Sequence, residues 1–311
     1  MSSVCTGVSR YLSGVDGQPT TRSRTSIKKN LFNMVRIIIN ADDLGLSHEV
    51  NSAISAALSQ KCITSSTILA NTDLWNEVHQ IVDNNPQASF GVHLNLTQGK
   101  ALTDSKVLKQ YGIVDEKNIF TKTIRNHKNF TQELQNAIFE EWDAQVNLVK
   151  NVENIPVSHL DGHHHCHTYI GLETVLAQVL QKHDIKKVRN CYHTPHVKYV
   201  ECIKYYIAGA LNCFGVHKFP GVTNVLQIMQ HYDTYNKVIG KSGTMTTGFF
   251  GQYEIVLNLL KNRQISLPSE LTIELMCHPG HERYAREYEL IKNNSLDNVI
   301  DNCSYISFNE L

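Results

Sequence analysis

The densest chemistry in the chain is His159-Leu160-Asp161-Gly162-His163-His164-His165-Cys166-His167, which gathers five of the sixteen histidines within nine residues. Neutral imidazole is the commonest metal ligand and a carboxylate its usual partner, so the stretch reads as part of a metal site. A solvated polar loop is the blander competitor, and for one isolated histidine it would prevail. Spacing does not say which histidine binds. In a strand His163 and His165 share a face, whereas in a helix His163 and His167 do. A second group is the pair Asp42-Asp43. Adjacent carboxylates repel, and one is driven neutral unless a cation relieves them. On extended backbone they project to different sides, so one can ligate a divalent ion while the other stays free as a base. His93 and one histidine of the cluster would supply two nitrogens beside one carboxylate oxygen. Three protein ligands with positions left open mark catalytic rather than structural sites.

Those groups, together with His278, stand at or just past the C-terminal ends of expected strands, the edge at which parallel α/β folds build their sites. Residues 35–40 (Val-Arg-Ile-Ile-Ile-Asn) form a β-branched run of the kind buried on both faces of a parallel sheet. The run leads into the paired acids, which are expected in a strand-to-helix loop. Ser47 then offers an N-cap, with Val50, Ala53, Ile54, Ala57 and Leu58 at helical spacing behind it. Residues 62–69 read as a strand, 74–82 as a helix, and 90–96 alternate with period two, so that His93 and Asn95 lie opposite Val92 and Leu94. Residues 99–130 are polar and weakly periodic, and read as an excursion over the active face rather than a core unit.

Residues 131–152 return to a clear helix, whose stripe Leu134, Ile138, Trp142, Val146 and Val149 makes Trp142 a core residue rather than a ligand-stacking one. The strand carrying the histidine cluster opens at Pro156-Val157. A helix over 171–183, a short strand over 187–189 and a helix over 195–211 follow. Residues 211–251 are mixed and glycine-rich, with 247–251 a loop before a helix through 260. A late strand over 271–277 runs out into His278-Pro279-Gly280-His281, and a helix over 285–300 closes the chain. Strand and helix alternate without a long hydrophilic linker, which argues for a parallel α/β fold. A closed or partly closed barrel over residues 34–311, as a single domain, suits that length.

Composition narrows the partners. The chain has 29 basic and 29 acidic residues in 311, which gives no electrostatic reason to expect nucleic acid or an anionic membrane surface. No apolar run approaches the roughly 20 residues of a membrane span. The eight cysteines include no C-x-x-C pair and read as reduced and buried, which favours a cytoplasmic location. Residues 1–33 are rich in Ser and Thr and carry one acid, Asp16. They read as a disordered tail, with a mitochondrial transit peptide as the lesser alternative. No nucleotide-binding glycine motif occurs.

Four segments carry a resemblance. They are Ile39-Asn40-Ala41-Asp42-Asp43-Leu44-Gly45-Leu46-Ser47, Gly91-Val92-His93-Leu94-Asn95-Leu96-Thr97, His159-Leu160-Asp161-Gly162-His163-His164-His165 and Met276-Cys277-His278-Pro279-Gly280. In order and spacing they resemble the signature segments of the YdjC/ChbG-type carbohydrate deacetylases, across about residues 34–311. The resemblance implies a distorted TIM-like (β/α) barrel with mostly parallel strands, and removal of acetyl groups from N-acetylated sugars such as chitooligosaccharides. Bacterial members often have Ser where Gly162 stands, a departure that leaves substrate preference open.

Carried over by position, the resemblance implies Asp43, His93 and His163 as metal ligands and Asp42 as general base. His278 is implied as the acid or as a group polarising the base, and Arg189 as an orienter of Asp42, with a plain surface ion pair as the competing reading of Arg189. Asp161 is expected to orient a ligand. His164, His165 and His167 are left as supporting, substrate-facing or structural groups. The ion is magnesium by resemblance, whereas two imidazoles and a carboxylate suit zinc or another transition metal better by ligand softness. Phe249, Phe250 and Tyr253 are candidates for an apolar platform under a sugar face. The expected partner is an acetylated sugar or oligosaccharide, and assembly as a homodimer is left open. Alternative readings are another metal-dependent amidohydrolase, a phosphoesterase, or a non-catalytic carbohydrate-binding protein on the same scaffold. An iron oxygenase with the same ligand trio is disfavoured by the strand-helix alternation.

Overall fold

The computed structural model describes residues 35–190, 225–247, 249–262, 272–300 and 302–311. The tail expected over 1–33 and the helix expected over 195–211 lie outside the described residues. Among the described residues nine strands form one sheet: β1 (Val35–Leu44), β2 (Ser65–Ile68), β3 (Ser89–Leu94), β4 (Leu160–Gly162), β5 (Lys187–Val188), β6 (Met245–Thr246), β7 (Phe249–Gln252), β8 (Thr272–Cys277) and β9 (Cys303–Tyr305). The order is β6-β5-β4-β3-β2-β1-β8-β7, every pairing is parallel, and β9 pairs with the start of β1. β6 lies on one edge and β7 on the other, yet only two residues of chain separate them. Neighbouring Cα atoms are 3.8 Å apart, so the end of β6 and the start of β7 lie within roughly 11 Å of each other. The result is the distorted parallel barrel that the resemblance implied.

Helices α1 (His48–Ser59), α2 (Trp75–Asn84), α3 (Lys106–Gln110), α4 (Gln132–Asn147), α5 (Glu173–Lys182), α6 (Val225–Lys241), α7 (Tyr253–Lys261) and α8 (Ala285–Lys292) accompany the strands. Ser47 caps α1, its side chain accepting from the Val50 amide, and Thr131 caps α4 through the Leu134 amide. The apolar stripe of α4 is buried as expected, Trp142 included. No described helix is long and apolar enough to cross a membrane.

Three expectations need correction. Asp42 and Asp43 belong to β1 itself, not to the loop after it. Residues 99–130 contribute Ala101, Leu108, Ile113, Val114, Phe120 and Ile124 to the main core, because apolar side chains at irregular spacing can still fill a common space that periodicity does not reveal. Buried Glu141 of α4 pins this segment by accepting from the amides of Leu102 and Thr103 at 3.0 and 2.8 Å. The stretch 211–251 holds α6 and most of β7, where a mixed region and a loop were expected.

The period of two along β1 sorts its side chains. Ile37, Ile39 and Ala41 join the large core that includes the helices, whereas Ile38 joins Ile306 and Phe308 in a second, small cluster. That cluster closes the end of the barrel opposite the acids. Phe308 stacks on His159 with ring centroids 3.6 Å apart, its amide donates to Ser89 Oγ at 2.9 Å, and its carbonyl accepts from Lys187 Nζ. His159, the first histidine of the cluster, is therefore part of the floor and not of the candidate site.

Candidate metal centre

A bulge in β1 aims the two acids. Ala41 pairs with Ser66 and Leu44 with Ile68, so three steps along β1 face two along β2. Asp43 takes the left-handed conformation there, with φ of 73°, which Asp tolerates better than most residues. The extra residue lets Asp42 face into the barrel while Asp43 faces its mouth. β3 and β4 then set the next pair, because His93 lies directly beside Asp161 in their register.

Three side chains converge on one point. Asp43 Oδ1 stands 2.7 Å from His163 Nδ1 and 3.2 Å from His93 Nε2. All three residues are buried, and their ligand atoms lie within 4.8 Å of one another. The far nitrogen of each ring is already committed. His93 Nδ1 donates to Asp161 Oδ1 at 2.7 Å, and His163 Nε2 donates to Gln98 Oε1 at 3.1 Å. Such partners fix the tautomer and direct the other nitrogen's lone pair inward. Asp43 Oδ1, though close to two ring nitrogens, lacks a hydrogen bond of acceptable geometry. Two imidazole lone pairs and an unpartnered buried carboxylate oxygen fit a divalent cation. Asp43, His93 and His163 would hold it.

The charges follow from this packing. Burial works against ionisation of Asp43, but His163, His281 and His93 outweigh it and hold the carboxyl well below the carboxylate range. For His93, burial favours the neutral ring, yet without a cation Asp161, Asp43 and Asp42 together push its pKa up to about 10, so a cation binding at Nε2 would displace a proton there. For Asp42 burial is again opposed, chiefly by Arg189, and the acid stays ionised below its ordinary range.

Arg189 is no surface residue. It is fully buried and donates through Nη1 to Asp42 Oδ2 at 2.8 Å and through Nη2 to Asp42 Oδ1 at 2.6 Å. Nη2 also meets Asp161 Oδ2 at 2.9 Å, and Nε donates to Glu274 Oε1 at 2.6 Å. The fork is a bidentate clamp on Asp42 of the kind that fixes a carboxylate's plane. Asn40 Nδ2 adds a donor to Asp42 Oδ1 at 2.9 Å, and Thr67 donates to Asp161 Oδ2 at 3.0 Å. Asp42 Oδ2 keeps one lone pair beyond its single bond to Arg189.

His278 and His281 come from the turn after β8. His278 stacks on Tyr284 at 4.3 Å, and its Nδ1 lies 3.5 Å from Glu287 Oε2. Its pKa is raised, burial being outweighed by Glu287, Asp42 and Asp43. His281, to which the sequence assigned no role, brings Nε2 to 3.1 Å from Asp43 Oδ2. The turn is locked by Gly280, at φ of 84°, where a Cβ would lie 2.6 Å from Val50 Cα and 2.7 Å from the Glu49 carbonyl of α1.

The remaining histidines divide. His164 and His165 adopt left-handed backbone in succession, φ 52° and 58°. His164 Nδ1 pairs with Thr97 Oγ1 at 2.7 Å, and His165 lies edge-on to Phe250 at 5.6 Å. His167 is buried. Its ring explains Gly162, because a Cβ there would lie 2.8 Å from His167 Nδ1. The aromatic platform is not borne out for Phe250 and Tyr253. Both are buried, and Phe250 lies 4.8 Å from the Arg189 guanidinium. Apolar residues around a glycine-rich segment serve packing there, and the Phe249 side chain lies outside the description. Gln98, Glu274 and His281 were the residues missed. Of these only Glu274 left a trace in the sequence, as an acid in the middle of an otherwise apolar strand.

Comparison with known proteins places this geometry among relatives. A family model described as YdjC-like protein matches residues 36–302. A carbohydrate deacetylase of Halalkalibacterium halodurans is 26% identical over 247 residues, covering 75% of this chain and 100% of the relative. A carbohydrate deacetylase of Vibrio campbellii is 31% identical over 151 residues, covering 49% of this chain and 57% of the relative. Among solved structures, a protein of Enterococcus faecalis V583 named for cellobiose-phosphate cleavage superposes with a TM-score of 0.61 at 19% identity, covering 89% of this chain and 98% of its own. At that identity the likeness concerns the fold.

Proposed function

Because this chain belongs to the YdjC-like family, whose model spans residues 36–302, we propose that it is a metal-dependent hydrolase that removes acetyl groups from N-acetylated carbohydrates. One observation carries the reading: Asp43, His93 and His163 converge as a two-nitrogen, one-oxygen set beside a clamped, ionised Asp42. The relatives described as carbohydrate deacetylases support the substrate class. A divalent ion held by this set would supply Lewis acidity to polarise the acetyl carbonyl and make water nucleophilic near neutral pH. Zinc or a similar transition metal suits the donors better than magnesium does.

The chain's own residues do the rest. Asp42, kept ionised by Arg189, accepts the proton of the attacking water on the free lone pair of Oδ2. The water oxygen bonds to the acetyl carbon, the carbon–nitrogen bond breaks, and the sugar amine takes a proton as it leaves. His278, with a raised pKa, supplies that proton. Gln98 fixes His163 and also lines a cleft of about 420 Å³ together with Ser47, Asn71, Thr72 and Asn95. Among the described residues no lysine or arginine lines the cleft, which favours an uncharged saccharide over a phosphorylated one. The test is acetate release from N-acetylglucosamine oligomers by the purified protein. Asp42→Asn is expected to lower kcat by 100-fold or more, in the range of a lost general base. Full activity in that variant would remove Asp42 from the mechanism.

A further inference from the structure

Glu274 is fully buried on β8, three strands from β3 and four from β4 in the sheet order. Its Oε1 takes the Nε hydrogen of Arg189 at 2.6 Å, whereas Oε2 has no hydrogen-bond partner among the described residues. Arg189 thus spends three sides of one planar group: Nε on Glu274, both Nη atoms on Asp42, and Nη2 also on Asp161. Its backbone is held as well, the amide donating to the Leu160 carbonyl at 2.9 Å and the carbonyl accepting from Tyr235 at 2.8 Å. The two Nη contacts alone leave the guanidinium free to swing about its long axis. The Nε contact removes that freedom, and with it the freedom of Asp42.

We propose that Glu274 is a positioning residue, which fixes the plane of the Arg189 guanidinium and so holds Asp42 in the one orientation that presents Oδ2 to the attacking water. The proposal rests on Asp42 as the base. The competing account is charge balance, in which any anion at this place would serve. Charge is already in excess, since one guanidinium meets the three carboxylates of Asp42, Asp161 and Glu274. What the cluster needs from Glu274 is reach and an acceptor at the Nε hydrogen. A misplaced reacting group costs up to about 100-fold in rate.

Two variants separate the accounts. Glu274→Gln keeps the reach and the acceptor oxygen but loses the charge, and Glu274→Asp keeps the charge but withdraws the acceptor by one methylene. Both are to be compared with wild type and Asp42→Asn for acetate release from N-acetylglucosamine oligomers, with zinc binding measured alongside. Positioning predicts that kcat of Glu274→Gln exceeds that of Glu274→Asp by 10-fold or more, with KM and zinc affinity within about 3-fold of wild type in both. The reverse order, or equal kcat in the two variants, overturns the proposal while leaving Asp42 as base. Full kcat in Asp42→Asn overturns the base and the proposal with it.

Discussion

At the scale of residues, the site is a set of committed atoms. The nitrogens of His93 and His163 that face away from Asp43 are spoken for, by Asp161 and Gln98, and each Arg189 side-chain nitrogen has a carboxylate recipient. Glu274 shows what this costs. Burial raises its pKa to about 7, with Asp161 and Asp42 adding to the shift and Arg189 opposing it. Between the ordinary glutamate value and about 7 the folded protein therefore binds more protons here than the unfolded chain does. Stability from this group is fully present at acid pH and is lost as pH rises through about 7. Chemical denaturation of wild type and Glu274→Gln from pH 5 to 8 checks the sign. Wild type is expected to lose stability relative to the variant as pH rises, and a difference that does not change with pH would contradict it. The histidine density and the paired acids made the candidate metal set legible. Spacing alone did not say which histidine would bind, and only the resemblance pointed to His163, because the choice turns on β4 ending at Gly162 and on the contact of Gln98 with the His163 ring.

At the scale of elements, strand ends do the placing. β1, β3 and β8 could be read as strands because each has six residues or more, with a β-branched run in β1 and alternation in β3 and β8. β5 and β6 have two residues each, too short for any periodicity, and β9, three residues beyond the helix expected over 285–300, is equally short. The bulge that turns Asp43 is a change of register, which depends on the partner strand and leaves no local pattern in β1. β9 and the turn after it form the floor beneath the site, through Phe308 against His159 and Ile38. Phe308→Ala is expected to destabilise the fold by about 3–5 kcal/mol, read as a lowered midpoint in urea, with kcat per folded molecule retained. A midpoint within experimental error of wild type would mean that the segment merely rests on the barrel.

At the scale of the whole molecule, the barrel has an apolar end and a polar end. Asn40, Asp42, Thr67, His93, Asp161, Arg189 and Glu274 come from six different strands or strand ends and are all buried. Charges so placed are costly to bury, and breaking one pair leaves another unpaired, so the polar interior is a site the fold supports at a cost in stability. The α/β class and the edge on which chemistry gathers were visible in the alternation of the sequence. The closure of the barrel through β6 and β7 was not, since it depends on which strands those two short segments join. The central claim is that Asp43, His93 and His163 hold the ion that the hydrolysis requires. It is tested most directly by stripping the protein with a chelator and following acetate release from N-acetylglucosamine oligomers before and after zinc is added back, in wild type and in His163→Ala. The account predicts that stripped wild type is inactive and regains activity with zinc, while His163→Ala regains less than a hundredth of it at the same zinc concentration. Undiminished acetate release from the stripped protein, or full recovery in His163→Ala, would contradict it.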